Sequence, residues 1–76
     1  MHARAAATFV RLATSFNSRI ILRRLGKEAD GKSIMSIMML ALSKDSRAEL
    51  CADGKDEGEA VAALTALVNS GFGEEK

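Results

Sequence analysis

The sequence predicts one small domain that mixes helices and strands in the order α-β-β-α-β-α. Three observations carry this reading. A chain of 76 residues has room for a single core. Residues 57–69 repeat their apolar side chains at helical spacing, and residues 19–25 alternate as a half-buried strand does, ahead of a turn at Gly26. Hydrophobic residues make up 47% of the chain and charged residues 28%, close to the globular average and far from the composition of a disordered segment.

Each element follows from its own residues. Ala3 to Thr14 is Ala-rich and sets Phe9, Val10 and Ala13 on one helical face with Arg4 and Arg11 on another, which predicts a first helix. The polar run Ser15-Phe16-Asn17-Ser18 breaks it. From Arg19 to Leu25, Ile20, Leu22 and Arg24 alternate with Ile21 and Arg23 as a strand. Gly26 turns the chain into a short partner strand, Lys27-Glu28-Ala29, and Asp30-Gly31 leads to Ser33, placed to cap a second helix over Ile34 to Leu42. After the polar connection Lys44-Asp45-Ser46, residues Arg47 to Ala52 alternate with Ala48, Leu50 and Ala52 on one side, a third strand. Glu57 to Asn69 carries Ala60, Val61, Leu64, Leu67 and Val68 on one stripe, the clearest amphipathic pattern in the chain, with Asp56, Glu57 and Glu59 at its start and Gly71 as its stop.

Composition excludes several functions. Eleven basic and ten acidic side chains leave a net charge of +1, which gives no general attraction to a polyanion. Arg19, Arg23 and Arg24 have no interleaved aromatic residues and read as a solvated strand face, so no nucleic acid partner is expected. The single cysteine, Cys51, has no internal disulfide partner, and the sequence shows no set of soft metal ligands, so neither metal nor cofactor is expected. The longest apolar run, Ile34 to Leu42, is shorter than a membrane span, and the start of the chain does not read as a signal peptide. A cytoplasmic protein without a membrane partner is the expectation.

The one histidine, His2, stands just before the first helix. On composition alone, a histidine in that place most often belongs to a frayed terminus. A helix start, however, presents unpaired N–H groups and a partial positive charge that favour phosphate-like anions, and Arg4 lies in the same turn. A largely neutral imidazole there is a nucleophile able to hold a phosphoryl group.

Two segments sharpen this. Met1-His2-Ala3-Arg4-Ala5-Ala6-Ala7 resembles the phosphohistidine segment of the HPr family, the phosphocarriers of the bacterial sugar phosphotransferase system, whose pattern is Leu-His-x-Arg-Pro-Ala. Lys32-Ser33-Ile34-Met35-Ser36-Ile37-Met38 is similar to that family's regulatory-serine signature, and the interval between His2 and Ser33 agrees as well. The resemblance runs through Gly71. It implies an α+β open-faced sandwich, three helices on one face of an antiparallel sheet. It implies a carrier, not an enzyme, in which His2 takes a phosphoryl group on Nδ1 from phosphorylated enzyme I and passes it to enzyme II A domains while Arg4 steadies it. Ser33 would be phosphorylated by HPr kinase/phosphorylase, and Ile34, Met35 and Met38 would dock those partners and a catabolite-control regulator. By their spacing alone these methionines could equally be core.

The chain departs from the family in two places. Alanine stands at position 5 where the family has proline at the first helical turn, a replacement a helix tolerates. The family's first strand and loop, ahead of the histidine, have no counterpart in these residues. That predicts an open-faced domain of 76 residues lacking its first edge strand, with an unpaired edge on the Arg47 to Ala52 strand. It also raises a second reading, in which the His2 relay is impaired and the protein is a binding module switched by phosphorylation of Ser33.

Overall fold

The computed structural model describes residues 3–40 and 48–69. Six elements follow one another: α1 (Ala3–Thr14), β1 (Arg19–Arg24), β2 (Lys27–Asp30), α2 (Ile34–Met39), β3 (Glu49–Asp53) and α3 (Glu57–Asn69). The strands form one sheet in the order β2-β1-β3 with both pairings antiparallel, and the three helices cover one face of it, as the sequence led us to expect.

The alternation in β1 explains the layering. Ile20 and Leu22 point inward and are buried, and the register sets Leu22 between Ala29 and Leu50, and Ile20 beside Ala52. Against these pack Phe9 and Ala13 of α1, Ile37 of α2, Leu40, and Ala60 and Leu64 of α3, all in one cluster. On the opposite face Arg23 donates to Glu28 through Nη2 at 2.7 Å and to Glu49 through Nη1 at 3.2 Å, spanning all three strands. Its exposure makes this trio a marker of register more than a source of stability.

Several boundaries differ from expectation. Helix α2 ends at Met39, where the Leu40 N–H turns back to the carbonyls of Ile37 and Met38 and the Leu40 side chain drops into the core; Ala41 and Leu42 lie outside the described residues. The third strand runs from Glu49 to Asp53 because β1 offers partners only from Arg23 back to Arg19. Ala48 is exposed and not part of it, and Arg47, like the Lys44-Asp45-Ser46 connection and Gly71, lies outside the described residues. The partner strand gains Asp30, which pairs with Ile21. In α3 only Ala60 and Leu64 are buried and Val68 is exposed, so α1, with Ala5, Ala6, Phe9 and Ala13 buried and Arg4 and Arg11 outside, is the more sharply faced helix.

Leu25 belongs to the turn and not to β1. It has φ 52° and Gly26 has φ 79°, both positive as a two-residue hairpin turn requires. Glycine takes this conformation freely, whereas the leucine side chain strains it and remains 82% exposed, so burial returns nothing. Leu25→Asn is expected to stabilise the domain by about 0.5–1 kcal/mol, raising Tm by about 2–8 °C in a thermal melt. An unchanged Tm would show that the turn is not strained.

The far end of the sheet is closed by a carboxylate. Asp56 accepts hydrogen bonds from the Asn17 N–H at 2.8 Å, the Ser18 N–H at 2.9 Å and the Ser18 hydroxyl, while its own carbonyl accepts from the Ala60 N–H at 2.9 Å to open α3. Ser18 is fully buried by this contact, and Gly54 lies so close that a Cβ there would come within 2.7 Å of the Ser18 Cα. The Ser18 hydroxyl first, and then the Asn17 amide, hold the Asp56 carboxyl below its ordinary value. A lowered folded value means that the stabilisation is complete above the unfolded value, about pH 4, and is lost as the pH falls through the folded one. Asp56→Asn is expected to melt several degrees lower at neutral pH, with the gap narrowing as the pH drops below about 4. A gap that does not change with pH would show that the charge contributes nothing.

Candidate functional site

Two helix starts carry the residues singled out by the sequence. The first turn of α1 is anchored by Ala5 and Ala6, both buried, while Arg4, just before them, stays exposed at the start of the helix. No acidic side chain occupies that turn. Its leading N–H groups and the Arg4 guanidinium together make a positive helix start, chemically suited to an anion. His2, expected to precede this turn, and Met1 lie outside the described residues.

Ser33 caps α2. Its backbone is extended, with φ −121° and ψ 115°, and its Oγ accepts from the Ser36 N–H at 3.2 Å. The approach to this cap is fixed by Asp30: its Oδ1 accepts from the Lys32 N–H at 2.9 Å, and its carbonyl accepts from the Ser33 N–H at 3.1 Å. Lys32 Nζ donates to the Phe16 carbonyl at 2.8 Å, tying the cap to the loop that follows α1. Ser33 itself is half-buried.

The two readings of the apolar run are resolved by its two sides. Ile37 and Leu40 face the core, while Ile34 is 44%, Met35 72% and Met38 42% exposed. Met39, 75% exposed, lies four residues beyond Met35 and extends the same face; that spacing was visible in the sequence, but only the structure shows which side of the helix is free. The outcome is an exposed apolar surface on α2, made of Ile34 and three unbranched, deformable methionines, of the kind that adapts to a partner. Helix α2 packs against α1 and β2, so the helices bearing Arg4 and Ser33 are neighbours. Arg24, read as part of a solvated strand face, instead reaches the α2 C-terminus, where Nη1 donates to the Leu40 carbonyl at 3.4 Å.

Known proteins share this arrangement. The family model described as the PTS HPr component phosphorylation site matches residues 1–70. The phosphocarrier protein HPr of Neisseria meningitidis serogroup A is 46% identical over 74 residues, covering 97% of this chain and 83% of the relative. The phosphocarrier protein NPr of Escherichia coli K12 is 41% identical over 76 residues, covering 99% and 84%. The crystal structure of HPr-C-His from Thermoanaerobacter tengcongensis superposes with a TM-score of 0.93 at 47% identity, covering 99% of this chain and 84% of that one. With the fold, the family match across residues 1–70 and these identities in agreement, the chain belongs to the HPr family of the phosphotransferase system, whose members are phosphocarriers and not catalytic enzymes.

Proposed function

We propose that the chain acts as one HPr-like domain, residues 1–76, in which His2 relays a phosphoryl group. The Nδ1 lone pair of His2 attacks the phosphorus carried by phosphorylated enzyme I, the bond to enzyme I breaks as the new N–P bond forms, and a nucleophile on an enzyme II A domain then takes the phosphoryl group and leaves the imidazole free. Arg4 steadies the phosphoryl oxygens, and the α1 N–H groups balance their charge. The observation that carries this reading is the match of residues 1–70 to the family's phosphorylation-site model, with Arg4 at a helix start free of acidic side chains. Ile34, Met35 and Met38 form the docking surface for both partners. We place the protein in the cytoplasm, where these reactions run; no helix among the described residues is long and apolar enough to cross a membrane.

A second reading is favoured by Ser33. It caps the helix that bears the exposed methionines, so a phosphate added by HPr kinase/phosphorylase would put about two negative charges beside that surface. Recognition by enzyme I or by a catabolite-control regulator would change with it.

Incubation with enzyme I, phosphoenolpyruvate and Mg²⁺ is expected to give a single acid-labile phosphoryl adduct by intact mass, absent in His2→Ala. No adduct, with enzyme I active on a longer carrier, would overturn the relay. Ser33→Ala removes both the cap and the acceptor hydroxyl and is expected to cost about 1 kcal/mol of stability, whereas Ser33→Asn keeps the cap and melts close to the natural chain. Both variants should retain the His2 adduct and lose kinase-dependent phosphorylation; a kinase product on Ser33→Asn would place the modification elsewhere.

A further inference from the structure

We propose that Met35 and Met39 are a reversible oxidation site through which a hydroperoxide weakens docking at α2. The inference rests on the reading of this helix as the docking surface for the partners of the relay.

Exposure separates the three thioethers of α2. Met35 and Met39 are 72% and 75% exposed and stand four positions apart, so they neighbour one another on the free side of the helix, whereas Met38, 42% exposed, is more than half covered. The burial that keeps α2 in place comes from Ile37 and Leu40. Oxidation follows access to the sulfur, which selects Met35 and Met39.

The chemistry needs only a peroxide. A lone pair of Sδ attacks one peroxide oxygen, and the S–O bond forms as the O–O bond breaks. The sulfur gives up two electrons, and the other oxygen leaves with a proton, as water when the oxidant is hydrogen peroxide. In a buried core the resulting sulfoxide disrupts packing. Here the two side chains have little burial to lose, so the fold stays and the surface changes. A partner covering this face must then strip water from new polar oxygens. Methionine sulfoxide reductases, one for each epimer, reverse the step with two thiols, which leave as a disulfide while the oxygen leaves as water. Cys51, a further sulfur, is half-buried and turns to the sheet face opposite the helices, so its oxidation can be tested apart.

The test treats the full chain with hydrogen peroxide, removes the excess with catalase, locates each oxygen by peptide fragmentation and then measures phosphorylation by enzyme I and phosphoenolpyruvate. Met35 and Met39 are expected to oxidise about threefold or more faster than Met38, with little change in Tm. The carrier concentration giving half the maximal rate should rise about tenfold, and the reductases should restore it. A Cys51→Ser chain should respond in the same way. A chain carrying Met35→Leu and Met39→Leu, compared with itself before and after peroxide, should not respond. Oxidation of Met38 as fast as of its neighbours, a Tm lowered by many degrees, an unchanged half-saturating concentration, or equal sensitivity in the leucine chain would each overturn the proposal. Failure of the untreated chain to form an adduct would instead remove the relay itself, and this switch with it, before any peroxide is added.

Discussion

One carboxylate sets the frame on which the rest of this domain is built. Asp56 gathers the two N–H groups and the hydroxyl of Asn17 and Ser18, and its own carbonyl starts α3, so the end of the loop after α1 and the beginning of the last helix are held at a single point. That point lies where β1 begins and β3 ends, beside the pairing of Arg19 with Asp53. Fixing it fixes the register of the two strands. Because side chains alternate, a slip of one residue would turn Leu50 and Ala52 to the open face and bring Glu49, Cys51 and Asp53 inward. The close approach of Gly54 to Ser18 belongs to the same junction, since no larger residue fits there without moving the backbone.

The proposed docking surface depends on this rigidity in an indirect way. Helix α2 has six residues, far too few to be stable by itself. It persists because Ile37 is buried on it, Leu40 is buried just after it, Ser33 caps its start and Arg24 reaches its end. All of these holds lie at one side or at the termini, which leaves Ile34, Met35, Met38 and Met39 uncommitted. Apolar surface on a helix this short would be a liability in a chain that did not use it. Under the proposed relay, which requires successive partners, a deformable methionine face would permit contact without a fixed shape. The serine that holds the helix start is also the group whose modification would change the charge beside that face.

The sheet shows the same division of labour. Its inner face is apolar and shared with the helices, whereas its outer face is organised by charge, with Arg23 joined to a carboxylate on each neighbouring strand. Two of the three arginines of β1 have local duties, Arg23 across the strands and Arg24 at the end of α2.

By itself the sequence determined the order of elements, the faces of α1 and β1, the turn at Gly26, the extent of α3 and the two segments that mark the family, because each of these is written in spacing over a few residues or in a contiguous motif. Tertiary structure alone decided the rest. Ser18 and Asp56 lie thirty-eight positions apart, and nothing local in Ser15-Phe16-Asn17-Ser18 announces that one of its serines is buried against a distant carboxylate. The free side of α2, the end of that helix at Met39 and the span of β3 were likewise settled by what packs or pairs beside them. Periodicity says that a segment has two faces. Only the neighbours, brought together by the fold, say which of the two is covered.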